Sequence, residues 1–424
     1  MLDGATRVSD MVTRAVELGM PAVALTDHGY MYGIPELGLA CDAVNNAALD
    51  FKQWKHDKTA FAEGDFGEAP EDDKARAQWE RDRAAWEAEG SLEGTKPDPV
   101  IKPIFGCEVY FTPDETLSRD RKPELYHMIL IARNETGYVN LMQTVSEAAT
   151  QGFYYKPRVT LDNLRRHREG LIATSACIAG IIPKCIDRNQ LDEAIRWAET
   201  FRDTFEPGNF YIEIQDHGIT TDRGLTDEQL SRQLIDIAKQ VGVKVIATND
   251  FHYLTREDAP VQDIMMCIGM NSKVDDPNRM RMHGSEFYMK TEEEMREALK
   301  DFPEACDPTV EVAEKVNVVL ERDSILPRFP LPEGETEESW FRKRVQEGLE
   351  KRYGTPVPER EQKQADYEMG IIIQQGFPAY FLIVQDFIRA AREELDVSVG
   401  PGRGSAAGSA VAYCLGITQI DPIA

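Results

Sequence analysis

The sequence predicts an α/β protein: a (β/α) barrel over residues 1–270, followed by a mainly helical region. Three observations predict it. Short β-branched runs alternate with helical stretches through the first 260 residues, the pattern of successive β/α units. Carboxylate, imidazole or thiol side chains recur at the ends of those runs, and a single shared polar edge favours a barrel over a doubly wound sheet. After the Pro-rich stretch 325–334, amphipathic helices predominate.

Residues 8–18 are predicted helical, ended by Gly19, and the strand 22–26 runs into Asp27-His28-Gly29. Gly29 lets the backbone turn sharply beside a ligand. A helix follows over 34–46. Residues 49–98 differ in character, with Trp54, Trp79, Trp86 and the charge run Glu71-Asp72-Asp73-Lys74-Ala75-Arg76. Helical propensity without a continuous apolar stripe makes this a solvated, partly helical acidic insertion.

The strand pattern resumes over 100–110, which places Glu108 where a surface residue is not expected, and over 126–132, which carries His127. A helix is predicted over 137–149, then a strand over 170–177 that ends in Cys177. A helix over 191–205 and a strand over 209–215 lead to Asp216-His217-Gly218. A helix over 226–241 and a strand over 244–247 deliver Asn249-Asp250-Phe251-His252. Side chains two apart along a strand share a face, so Asp250 and His252 are expected to project together. Further helices are predicted over 337–353, 359–375, 380–395 and 411–415.

Composition narrows the class. With 42% hydrophobic and 29% charged residues, the 424-residue chain reads as globular, with room for two or three domains. Its formal charge of −26 argues against coating nucleic acid through bulk positive charge, though not against a local basic cleft. No apolar run approaches the ~20 residues of a membrane helix. The N-terminus shows no secretory pattern. Seven scattered Cys without a CxxC point to a reducing cytoplasm.

His28, Glu108, His127, Cys177, Asp250 and His252, with Asp3 and His217 as additional candidates, form a metal-ligand set. Mixed N, O and S donors suit Zn²⁺, Mn²⁺ or Fe²⁺ better than Mg²⁺. Two or three such ions would clamp a phosphodiester and activate water. On residue types alone, this hydrolytic reading and a structural one both stay open.

Gly402-Arg403-Gly404-Ser405-Ala406-Ala407, after a Val-rich strand, matches the GxGxxA dinucleotide fingerprint. No βαβ unit follows, and no Lys-Ser/Thr makes it a P-loop. The favoured reading is a triphosphate held at a helix start by backbone N–H groups, Arg403 and Ser405.

Along almost all its length outside 49–98, the sequence resembles the N-terminal part of the bacterial DNA polymerase III α subunits, the replicative C-family polymerases. The matching stretches include Met1-Leu2-Asp3-Gly4, 21–29, Gly106-Cys107-Glu108-Val109-Tyr110, Ser175-Ala176-Cys177, 247–254, 326–336, 376–387 and 399–422. The resemblance implies that residues 1–270 form a polymerase-and-histidinol-phosphatase (PHP) domain, a distorted (β/α)7 barrel. Members with an intact site bind three metal ions and remove 3′-terminal nucleotides from DNA. Position by position, Asp3, His28, Glu108, His127, Cys177, Asp250 and His252 match family metal ligands, with Asp27 and His217 as secondary candidates. Zn²⁺ or Mn²⁺ is implied there. Residues 271–335 would then be a connecting region and 336–424 the start of the polymerase palm. In that palm Gly402, Arg403, Gly404 and Ser405 resemble the segment that contacts the incoming nucleotide, and Mg²⁺ is expected once the palm is complete.

The sequence departs from the family pattern at both ends. The family's domain opens with a His-x-His strand just upstream of Met-Leu-Asp-Gly, so the barrel is expected to lack its first strand and Met1 to be an internal methionine of a longer chain. The palm's catalytic Asp-x-Asp is absent as well, so this polypeptide alone is not expected to polymerise DNA. The parent is expected to work in the cytoplasm, away from membranes, on primer–template DNA and dNTPs. Its partners are expected to be a sliding clamp, a clamp loader and other replisome subunits. The alternatives are a free-standing PHP-type phosphoesterase and a non-catalytic structural PHP domain.

Overall fold

The computed structural model describes residues 4–46, 101–320 and 327–424. Asp3 and the insertion predicted over 49–98 lie outside the described residues. The chain divides into two compact units, Met1–Leu320 and Glu321–Ala424.

The first unit is built on a curled, mixed sheet whose described strands are β1 (Ala22–Leu25), β2 (Lys102–Phe111), β3 (Tyr126–Ala132), β4 (Arg158–Val159), β5 (Leu171–Thr174), β6 (Phe210–Ile214) and β7 (Lys244–Ala247). Their order is β1-β2-β3-β5-β6-β7, and β4 adds to the end of β2. β1 runs parallel to β2, and β5, β6 and β7 run parallel to one another. β3 departs from the strict strand–helix alternation: it is antiparallel to both β2 and β5. The physical reason lies in the connection. Residues 112–125 hold no helix to carry the chain back across the sheet, so the next strand returns in the opposite sense. The start of β3 therefore lies at the edge where β2 ends, with His127 opposite Tyr110.

The two faces of the sheet follow from residue alternation. Cys107, Val109 and Phe111 of β2 pack into a core with Leu141 and Val145, Ala194 and Phe201, and Leu230 and Leu234. These pairs come from the helices Glu135–Thr150, Leu191–Thr204 and Asp227–Val241. Their spacing of four or seven residues is the apolar stripe of a surface helix. Each Val, Leu and Phe among them contributes about 1.5–3 kcal/mol on burial. On the other face Ile104, Ile131, Ile172, Tyr211 and Ile246 form an apolar layer, closed by Val312 and Ala313 of the helix Asp307–Lys315 and by Val316 just after it. Lys102, at the start of β2, donates to the Ala313 and Val316 carbonyls at 2.8 and 3.2 Å. That helix thus plugs the end of the curled sheet where β2 begins. The end where the parallel strands finish is left for polar groups.

Among its described residues, the second unit is helical. Helices Glu337–Tyr353, Glu359–Gln374, Pro378–Glu393 and Ala410–Cys414 enclose Phe341, Val345, Leu349, Met369, Leu382 and Val411. Gly348 permits a close crossing, because a Cβ there would stand 2.1 Å from the Cys414 carbonyl oxygen. The Val-rich strand expected before Gly402 is absent from the described residues. Residues 396–401 have no neighbouring strand with which to pair.

Among the described residues no single helix is long and apolar enough to cross a membrane; one pair, Glu359–Gln374 with Pro378–Glu393, passes such a test only jointly and is bent by 113°.

Candidate metal centre

Glu108 is the pivot of the polar end. The alternation that sends Cys107 and Val109 into the helix-facing core turns Glu108 to the opposite face, where it is 3% exposed. The chain leaving β1 stays in register with β2: the Glu108 N–H donates to the Asp27 carbonyl at 3.0 Å, and the Gly29 N–H donates to the Glu108 carbonyl at 2.7 Å. His28 is thereby set beside Glu108, and its Nδ1 contacts Oε2. The reversal of β3 brings His127 to the same carboxylate, with Nδ1 2.8 Å from Oε1. Two imidazoles therefore address the two oxygens of one buried glutamate. Burial opposes its ionisation, but hydrogen bonds from His127 and His28 outweigh that and hold the carboxyl at about 2.

Cys177 arrives from the loop after β5. Ala176 takes a left-handed φ of 57°, and the Cys177 Sγ lies 3.5 Å from the His127 Nδ1. Donor atoms of Glu108, His127 and Cys177 all lie within 4.8 Å of one another. Ligands on one tetrahedral Zn²⁺ stand roughly 3.4–3.7 Å apart, and the 3.5 Å between the Cys177 Sγ and the His127 Nδ1 falls in that range. The chemistry fits as well. Burial, with the charges of Glu108 and Asp250, pushes the Cys177 thiol well above its ordinary value, and a divalent cation supplies the charge that a thiolate needs.

His252 joins from the far side of the curl, its ring centroid 5.9 Å from that of His28, while the rings of His28 and His127 are 6.0 Å apart. Asp250 and His252 are not aligned by strand alternation, as the sequence suggested. β7 ends at Ala247, and Asp250 has a left-handed φ of 43°. The turn, not the pleat, leaves the His252 Nδ1 2.7 Å from the Asp250 carbonyl oxygen and 4.0 Å from its carboxylate. Residues 4–6 close against the same loop, where the Ala5 N–H donates to the His252 carbonyl at 3.0 Å.

The secondary candidates are engaged elsewhere. Asp27 Oδ2 accepts the Gly33 N–H at 2.9 Å at the start of the helix over 34–46. His217 is buried, stacks on Phe287 at 3.9 Å, and directs Nε2 at the Asn249 carbonyl at 2.9 Å.

Residues that the sequence reading passed over hold the ligand loops in place. Glu213, on β6, accepts hydrogen bonds from the hydroxyls of Thr174 and Thr248 and from the Gln215 amide at 2.9 Å. It thus ties the ends of β5, β6 and β7 together, three residues before Cys177 and two before Asp250. Burial raises its pKa, against the pull of the hydroxyl donors. Lys290, also buried, donates to Asn249 Oδ1 at 2.9 Å and to the Glu286 carbonyl at 2.7 Å. The rule that singled out Glu108, a carboxylate inside an apolar strand, would have found Glu213 in Phe210-Tyr211-Ile212-Glu213-Ile214.

In the second unit Gly402, Arg403, Gly404 and Ser405 form an exposed loop running into a 3-10 turn, Gly404–Gly408. The following helix does not offer its N-terminus freely. The Glu368 carboxylate accepts the Ala410 and Val411 N–H groups at 3.1 and 3.0 Å and the Ser409 hydroxyl at 2.7 Å.

Comparison with known proteins accords with both units. The model of the PHP domain matches residues 1–217, and that of the bacterial DNA polymerase III alpha NTPase domain matches residues 339–424. Relatives named DNA polymerase III subunit alpha align over 100% of the chain, at 37% identity in Treponema pallidum, 38% in Borreliella burgdorferi and 34% in Mycobacterium tuberculosis. The chain spans only 31–32% of the length of these relatives. PHP domains are metal-dependent, in keeping with the cluster around Glu108. The chain belongs to the PHP domain family.

Proposed function

We propose that the chain is part of a replicative DNA polymerase III α subunit whose PHP centre is a metal-dependent phosphoesterase acting at DNA 3′ ends. The observation that carries this reading is the shared carboxylate: Glu108 faces His28 and His127 with separate oxygens, and Cys177 stands beside them. In this reading the PHP domain covers 1–270, a connecting region 271–335, and the leading part of the palm 336–424. Asp3, His28, Glu108, His127, Cys177, Asp250 and His252 would hold Zn²⁺ or Mn²⁺. Such ions supply a Lewis acid for the phosphodiester oxygens and lower the pKa of attacking water. Glu108, with two oriented oxygens, would hold such an ion beside His28 and His127, and the Glu213 clamp limits how far the Cys177 and Asp250 loops can drift.

Gly402, Arg403, Gly404 and Ser405 are proposed to contact the triphosphate of an incoming nucleotide, with Mg²⁺ serving the complete palm. The full protein would extend primers on template DNA from dNTPs, in the cytoplasm, together with a sliding clamp, a clamp loader and other replisome subunits.

The test compares the chain with Glu108→Ala by elemental analysis and by release of 3′-terminal nucleotides from a labelled oligonucleotide, before and after chelation. Bound Zn or Mn that is lost in the variant, with chelator-sensitive release, is expected. Metal content unchanged by Glu108→Ala would sink the ligand assignment.

A further inference from the structure

The rim of the metal cluster carries an aromatic and basic surface that the chemistry above does not use. His28 leads through Gly29 to Tyr30 and Tyr32, whose rings stack at 5.2 Å with an interplanar angle of 11°, and Tyr32 is 66% exposed. On the other side of Gly29 lie Tyr110 and Pro157: a Cβ on this glycine would stand 2.9 Å from the Tyr110 ring and 3.0 Å from the Pro157 side chain. Tyr110 in turn meets the ring of His127 edge-on at 5.6 Å, and the Lys156 Nζ lies 5.0 Å from the Tyr110 ring centre. Tyr110 thus joins His127 to Lys156 and to Gly29, the residue after His28.

The turn that carries Lys156 also carries Tyr155, 64% exposed, at its tip. Tyr155 has a left-handed φ of 62°, an unfavourable conformation for a bulky residue that persists where surrounding structure enforces it. Buried Arg158 is that structure: its guanidinium donates to the carbonyls of Gly152, Ser118 and Leu117 at 2.7, 2.8 and 2.7 Å. It pins the turn to the 112–125 loop. The acidic groups of that loop are already engaged, Asp114 by Thr116 and Glu115 by the N–H groups of Leu161 and Asp162.

We propose that Tyr32, Tyr155 and Lys156 bind the terminal nucleotides of single-stranded DNA and feed its 3′ end to the metal cluster. This rests on reading the cluster as a DNA 3′-end phosphoesterase. Exposed rings on a rigid turn provide sequence-tolerant stacking platforms, and the lysine tracks a phosphate. In a chain of net charge −26, bulk attraction cannot substitute for such a local surface.

The test is fluorescence anisotropy of a 5′-labelled oligothymidylate with the chain in a chelating, low-salt buffer, so that no metal chemistry enters. Tyr32→Ala with Tyr155→Ala is expected to weaken binding at least ~10-fold. Lys156→Ala is expected to reduce the salt slope by about one. The corresponding Tyr→Phe changes should retain binding, since the rings remain. The idea is overturned if the parent does not bind, if the folded Ala variants bind within about twofold of it, or if an oligouridylate binds more tightly than the DNA. Loss of binding in the Ala variants, alongside failure of metal-dependent nucleotide release, would leave this surface standing and reject the phosphoesterase reading.

Discussion

The polar end of the curled sheet and the Gly-rich loop of the second unit solve opposite problems. At the first, carboxylate, imidazole and thiol groups from distant parts of the chain are crowded together, and the central one is almost fully buried. At the second, residues 402–405 are contiguous and exposed, and the adjacent helix N-terminus is already satisfied by Glu368. Buried polar groups are tolerable only when their neighbours complete them, so the first site depends on a supporting network. An exposed loop does not carry that cost. Substitutions around the two regions should therefore differ in kind: those at the cluster damage stability and ligand placement together, whereas those in the loop affect binding alone.

The largest separation is expected from Glu213→Leu. It strands the Thr174 and Thr248 hydroxyls and the Gln215 amide in a buried setting, at a cost of about 3 kcal/mol. It should also lower metal affinity roughly 10–100-fold. Urea unfolding and metal titration read the two effects, and an unchanged urea midpoint would remove Glu213 from this role.

Glu368→Ala should cost about 1–2 kcal/mol, because it frees the N–H groups at the start of Ala410–Cys414. Arg403→Ala should stay within about 0.5 kcal/mol. Equal losses for the two would erase the contrast between a satisfied helix start and an open loop.

The smallest effect is expected at Glu147, a half-buried carboxylate whose main partner, Arg166, is exposed. Hydrogen bonds from Arg166, and then from His167, hold it at about 2, below the usual glutamate value of ~4.3. A depressed carboxylate contributes stability above the unfolded value and loses it as pH falls toward the folded one. Glu147→Gln should therefore flatten a small part of the stability decline between pH ~4.3 and ~2. An identical acid profile for parent and variant would show that this pair contributes nothing.

Much of the architecture was legible in the sequence. The strand at Tyr126–Ala132, the helix at Glu337–Tyr353 and the strand at Lys244–Ala247 lie where the pattern placed them. Of the candidate cluster, His28, Glu108, His127, Cys177, Asp250 and His252 could be named from polar residues at the ends of apolar runs. Less legible were the supports. Glu213 carries the same local mark as Glu108, a carboxylate inside an apolar strand, but its partners Thr174 and Thr248 are set only by strand pairing; Lys290 and Glu368 lie far along the chain from Asn249 and Ala410 and carry no local mark.

What the sequence determined by itself was local. Apolar period, β-branched runs and caps such as the Thr226–Gln229 box depend on neighbours within a few residues, and so assign element type and approximate bounds. The tertiary structure alone decided direction and convergence. The helix-free return after β2 reversed β3 and brought His127 to Glu108. Left-handed turns at Ala176 and Asp250 aimed the thiol and the last carboxylate. Contacts such as His28 with Glu108, 80 residues apart in the chain, arise only once the sheet has formed. Their geometry is set by strand pairing and packing, which no short window of sequence contains.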